Sequence, residues 1–140
     1  QSVLAASNAA RHEPYVRFAE GVDLKSAAAW YVRHYARFQS AYENLGFPGR
    51  YFNDRMVEVV DHLLATPEPD GPVALRLPEV RGTVPPARPW VMYEFADPQL
   101  QHLSAGQKLL LRLSPDQRAR LKLRLAQWRE LVTARAGTSR

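Results

Sequence analysis

The chain contains no cysteine, which excludes disulfide bridges, thiolate metal sites and a cysteine nucleophile. That absence is silent on compartment, because oxidising and reducing locations both tolerate a chain without thiols. No apolar run approaches the ~18 residues that a bilayer-spanning helix requires, so these residues are not expected to cross a membrane themselves. Internal repeats, low-complexity tracts and glycine-serine linkers are missing as well. So are the serine-nucleophile patterns Gly-x-Ser-x-Gly and Ser-x-x-Lys. Gly46-Phe-Pro-Gly49 is too short and apolar to cradle a phosphate, lacks the lysine of a P-loop, and reads as a helix–helix turn. The four histidines, at 12, 34, 62 and 102, include no pair spaced by three or four residues, so no helical metal site is encoded locally and no cofactor is implied.

What is present suits a small independent core. A chain of 140 residues with 46% apolar content matches one domain, 1–140, that buries roughly two-thirds of its unfolded surface. The net charge of +5 is concentrated at one end. Residues 118–140 hold seven basic side chains against the single acid Glu130, whereas residues 1–117 hold twelve basic and thirteen acidic ones. The body is therefore close to neutral, and the whole-surface basic field of a nucleic-acid binder is absent.

Seven prolines punctuate the stretch between Thr66 and Pro89, and no continuous helix can pass through it. The spacing predicts a proline-rich hairpin insertion over 67–95 between two helical halves. Val73–Leu77 and Trp90–Phe95, β-branched and aromatic and bounded by prolines, are its two antiparallel strands. Before it, Leu24, Ala28, Tyr31, Tyr35, Phe38, Tyr42 and Leu45 recur at alternating spacings of 4 and 3, which predicts one long helix from Asp23 to Leu45. Asp23 suits its N-cap and Gly46 the left-handed position beyond its end. A second helix, Arg50 to Ala65, places Phe52, Met56, Val59, Val60 and Leu63 on one face and Asp54, Glu58 and Asp61 on the other. The segment Ser2–His12 carries no clear pattern.

After the insertion, Asp97-Pro98 reads as an N-cap followed by the first helical residue. Ser104…Gln107 and Ser114…Gln117 each have capping-box form. They predict a turn of helix near 98–103, a helix near 105–112, and a final helix from Pro115 to about Ala134 with Leu121, Leu125, Trp128 and Val132 buried. Arg118, Lys122 and Arg129 flank that stripe on one side; Arg120, Arg124 and Arg135 flank it on the other. The fold class is mainly α: two long helices, a shorter C-terminal pair and a small antiparallel hairpin.

Few side chains suggest chemistry. Asp54, Glu58 and Asp61 share a helix face, which can hold a cation or simply face water. His62 reads as a boundary residue hydrogen-bonded at the surface. Glu94 sits inside an apolar strand and points either to solvent or to a partner, for which Arg50, Asn53, Tyr31 and Tyr35 are candidates. Tyr31, Tyr35, Arg50, Asn53, Tyr93, Glu94 and Asp97 are thus the candidate ligand- or partner-binding residues, as a network that either finishes the fold or meets a ligand. The basic helix face of Arg118, Lys122 and Arg129 has three readings: a solvated flank, contact with anionic material, or protein contact. Nucleic acid is disfavoured, because no stacking aromatics interleave those cations.

Several stretches resemble one family. They are Arg-His-Glu-Pro-Tyr-Val-Arg-Phe (11–18), Gly-Phe-Pro-Gly-Arg-Tyr-Phe-Asn-Asp-Arg (46–55), Val-Asp-His-Leu-Leu-Ala-Thr-Pro (60–67), and the segment 91–113 beginning Val-Met-Tyr-Glu-Phe-Ala-Asp-Pro. Together they are similar to the bacterial DUF3014 domain over nearly all of residues 7–133. The resemblance implies a single-pass inner-membrane protein of Gram-negative bacteria whose domain faces the periplasm, tethered by a transmembrane helix and a proline-rich linker ahead of Gln1. It further implies a helical segment before Gln1 that covers part of the core. It transfers no catalytic residue. The loop from Glu79 to Arg88 departs from the family pattern in being longer and richer in proline.

The expectation that follows is a non-enzymatic interaction or scaffold domain for a periplasmic or envelope protein, with a groove between the first helix and Tyr93–Asp97. Contact between its C-terminal helix and anionic wall or lipid material is the accompanying partner expectation. The alternative is a cell-envelope hydrolase acting on wall material, with Glu94, Asp97 or His62 transferring protons.

Overall fold

The computed structural model describes residues 2–78, 87 and 93–136. Helices dominate it: α1 (Ala6–Ala10), α2 (Glu13–Gly21), α3 (Leu24–Arg33), α4 (Tyr35–Asn44), α5 (Phe52–Leu64), α6 (Pro98–Gln101), α7 (Ala105–Leu111) and α8 (Pro115–Ala136). Three short strands, β1 (Ser2–Val3), β2 (Ala74–Arg76) and β3 (Glu94–Phe95), form an antiparallel sheet in that order. The mainly α class, the final helix and the pairing of the two expected strands therefore hold. The register sets Leu75 opposite Phe95 and Arg76 opposite Glu94. Trp90–Met92 of the second expected strand, nearly all of the proline-rich loop, Arg140 and the side chain of Arg135 lie outside the described residues.

The expected single helix over 23–45 is two. Its N-cap is as read, since Asp23 accepts from the backbone N–H groups of Lys25 and Ser26. At His34, however, the backbone turns to φ −104°, ψ 11°. The His34 N–H is shared between the carbonyls of Trp30 and Tyr31 (3.1 and 3.2 Å), and its ring Nδ1 lies 2.9 Å from the Trp30 carbonyl. A side chain competing for a ladder carbonyl is a recognised cause of a helix break. The apolar spacing passes through the break unaltered, which is why the sequence reads as continuous. The last residue of the expected stripe, Leu45, is 76% exposed at the end of α4. Gly46 beyond it takes φ 102°, the left-handed conformation expected of it.

Three elements, β1, α1 and α2, were not legible in 1–22. Strand β1 pairs with β2, and α2 starts at Glu13 with Pro14 in its first turn, where a missing N–H costs nothing. Helix α8 is the axis of the fold, packing against α2, α3 and α5. Val16 of α2 joins Leu110, Leu113, Leu63 and Leu121 in the core. Ala28 and Tyr31 of α3 and Val132 of α8 are buried as well. Helix α7 approaches α5 at Gly106, where a Cβ would stand 2.8 Å from a methyl of Leu63. Val59, read as core-facing, is instead exposed.

Candidate functional site

The candidate residues separate into two groups. Tyr31, Tyr35, Arg50 and Asn53 come together where α3 and α4 meet the start of α5. The Tyr31 hydroxyl donates to Asn53 Oδ1 (3.0 Å), and the Tyr35 hydroxyl accepts from the Asn53 backbone N–H (3.2 Å) while donating to Gln39 Oε1 (3.1 Å). Burial pushes the Tyr31 phenol well above its usual range, with Tyr35 adding to the effect, so it remains a neutral donor. Arg50 contributes its carbonyl rather than its guanidinium.

Gln39, which the sequence reading missed, is the hub. Its Nε2 donates to the Arg50 carbonyl (2.7 Å) and to Glu43 (3.0 Å), and its Oε1 accepts from Phe52 N–H (2.8 Å). The bonds to Arg50 and Phe52 fasten the far end of the 45–51 turn back onto α4. The Tyr42 and Phe47 rings stack at 4.8 Å across it. On this fixed turn Leu45, Phe47 and Tyr51 stand 76, 42 and 66% exposed. Phe47 and Tyr51 line a cleft together with Tyr42, Arg50, Asp54 and Arg55. A lone glutamine on a helix gives no sequence signal; only the fold of the turn against α4 reveals its role.

Tyr93, Glu94 and Asp97 belong to the other group. Glu94 pairs with Arg76 across the β2–β3 ladder (3.2 Å), not with Arg50, Asn53 or either tyrosine. Asp97 caps α6 by accepting from Gln99 N–H (2.8 Å). Tyr93 lines a separate cleft between the sheet, α1 and α7. The expected groove between the first long helix and Tyr93–Asp97 is thus replaced by two clefts on two hydrogen-bond systems.

His62 meets Ser104: its Nε2 lies 2.7 Å from Ser104 Oγ, the same oxygen that accepts Gln107 N–H in the α7 capping box. A serine–histidine contact is half of a nucleophilic triad. Among the described residues no acid bonds His62 to orient it, and the serine is already a helix cap. No hydrogen bond or ion pair joins any two of Glu94, Asp97 and His62 among the described residues, and no group of three or more His, Asp or Glu side chains there is arranged to hold a metal ion.

The basic helix is tied down along both flanks. Arg118 is only 3% exposed; it donates to Glu68 (2.6 Å) and to the carbonyls of Leu110 and Leu113. Lys122 reaches Glu68 (2.7 Å) and the Thr66 carbonyl (2.6 Å), and Arg129 reaches Asp61 (2.5 Å). Burial works to raise Glu68, but its bonds to Lys122 and Arg118 outweigh it and hold the carboxyl below the usual range. On the opposite flank Arg120 binds Glu13 (2.9 Å), Glu20 (2.8 Å) and Asp116 (3.0 Å), and Arg124 binds the carbonyls of Ala19 and Val22. Arg120, with Gln117, holds Glu13 down to about 2. Arg118, Lys122 and Arg129 do not form an unoccupied basic face; they fasten α8 to α5 and to the segment after it.

A family model described as a protein of unknown function, DUF3014, matches residues 1–129. The chain belongs to the DUF3014 family. In this DUF3014 domain the matched span runs from the sheet through the Arg129–Asp61 pair of α8. No curated protein and no solved structure matches the chain.

Proposed function

We propose that this DUF3014 domain is a non-enzymatic interaction module, facing the periplasm and tethered to the inner membrane through chain that precedes it. One observation carries the reading: a clamped turn presents Leu45, Phe47 and Tyr51 to solvent beside an aromatic-lined cleft. Exposed apolar side chains on a rigid frame suit partner binding, since little conformational freedom remains to be lost on association. The residues a hydrolase would need are otherwise engaged: Glu94 with Arg76, Asp97 at a helix cap, His62 at another. The three paired cations of α8 are likewise engaged, so the reading places no anionic wall or lipid contact on them.

The test uses the full-length protein in cells, with a photo-crosslinking residue at position 51. A discrete protein adduct that disappears when Leu45→Asp is added supports the module. No adduct from position 51, together with cleavage of a wall fragment by the purified full-length protein, overturns it in favour of the hydrolase.

A further inference from the structure

The cleft that Tyr93 lines, about 410 Å³ between the sheet, α1 and α7, has an unusual charge pattern. Arg11, His12, Lys108 and Arg112 line it, and among the described residues no acidic side chain does. Outside the cleft, Arg17, Arg55, Arg76, Arg118, Arg120, Lys122 and Arg129 each hold a carboxylate. Here the side chains of Arg11, His12 and Arg112 have no hydrogen-bond or ion-pair partner among the described residues, and Lys108 Nζ touches only the Gln101 carbonyl (3.3 Å).

The fold brings these cations together. Arg11 ends α1 and Arg112 ends α7, and Asn8 Nδ2 ties the two ends by donating to the Arg112 carbonyl (3.3 Å). The partial negative charge at the ends of helices of five and seven residues is much smaller than that of a carboxylate, so it leaves most of this positive charge unbalanced. Beneath the cations lie Leu4, Leu75 and the buried ring of Phe95, an apolar floor. Gln101 fixes that floor, its Oε1 accepting from Phe95 N–H (3.0 Å).

We propose that this cleft binds a phosphorylated ligand: a phosphomonoester or diphosphate held by Arg11, Lys108 and Arg112, with its apolar part against Leu75 and Phe95. Two guanidiniums and an ammonium match a dianion or diphosphate better than a single carboxylate, and the planar fork of arginine suits phosphate oxygens. The volume falls in the range of small-ligand sites. The site is distinct from the 45–51 turn, so the two readings stand or fall separately.

Calorimetry of the purified full-length protein with inorganic pyrophosphate tests it, alongside co-sedimentation with phosphatidylcholine vesicles carrying phosphatidic acid. Vesicle binding means the excess over vesicles of phosphatidylcholine alone, so that the proposed membrane tether does not count. We expect saturable pyrophosphate binding with a Kd below about 1 mM, weakened at least tenfold by Arg11→Gln/Arg112→Gln and unchanged by Arg33→Gln/Arg37→Gln, which removes the same charge outside the cleft. Vesicle binding with the same variant pattern identifies a lipid headgroup as the source; pyrophosphate binding without it identifies a soluble phosphate. Unchanged thermal melting of both double variants shows that loss of binding is not loss of fold; if the glutamine pair melts lower, Arg112→Lys, which keeps the charge and loses the fork, replaces it. The proposal is overturned if neither probe binds, or if the two double variants behave alike.

Discussion

Replacing Arg118 with methionine removes the most deeply placed charge of α8 while keeping the volume of its stem. In the native fold the guanidinium is buried and donates to Glu68, Leu110 O and Leu113 O. Breaking a buried ion pair by removing one partner costs about 3–5 kcal/mol when the other charge is stranded. Here Glu68 is not stranded, because its side chain is 54% exposed and keeps Lys122 at 2.7 Å. The loss is then chiefly a charge-assisted bond and the Leu113 carbonyl left without a donor, since Leu110 O keeps the Leu113 N–H at 3.1 Å; together these cost about 2–3 kcal/mol. Unfolding entropy of ~2.1 cal/mol/K per residue converts that into a Tm lower by about 7–10 °C. The exposed Arg129–Asp61 pair supplies the control: Arg129→Met should shift Tm by no more than about 2 °C, because solvent screens such pairs. Thermal unfolding followed by circular dichroism at 222 nm reads both. Equal shifts for the two variants, or a shift under about 2 °C for Arg118→Met, would refute the claim that burial sets the worth of these cations.

Gln39→Met should cost about 1–3 kcal/mol, since the Arg50 carbonyl and Phe52 N–H lose their partner; amide exchange across 46–53 should accelerate more than in α8. Ser104→Ala removes both the α7 cap and the His62 contact and should lower stability by about 1 kcal/mol in urea unfolding, with no change in slope. Acid should destabilise the fold through carboxyls that arginines, or for Asp23 the Ser26 hydroxyl and backbone, hold below their usual range: Glu13, at about 2, with Glu20, Asp23 and Asp61 also lowered. A depressed folded-state pKa gives stability that is complete above the unfolded value and is lost as pH falls through the folded one. Tm should therefore fall from about pH 4.5 down to about pH 2, and Glu13→Gln should flatten that slope.

Local rules of the backbone were legible wherever a few neighbouring residues decide the outcome. The caps at Asp23, Asp97, Ser104 and Ser114 stand as their side chains dictate, because each satisfies an N–H two or three residues away. Gln107 and Gln117 show where that reach ends. Each completes a capping box, but its amide also donates to a distant carbonyl, His62 O for Gln107 and Ala9 O for Gln117. Nothing in the spacing Ser-x-x-Gln names that second partner.

The same division holds for the whole chain. Sequence alone determined the mainly helical class, the span of α8 and the pairing of β2 with β3, since periodicity and proline placement act over one or two turns of chain. Of the expected α8 stripe only Val132 is buried, while Leu121, Leu125 and Trp128 are half-buried. Tertiary structure alone decided the break at His34, the clamp of Gln39 on the 45–51 turn, the pairing of Glu94 with Arg76, and which cations meet an acid. Charge has no periodicity to read: an arginine on α8 and an arginine at the end of α1 look alike in one dimension. Only the packing of α8 against α2 and α5 gives the first its carboxylate, and only the meeting of α1, α7 and the sheet leaves the second without one.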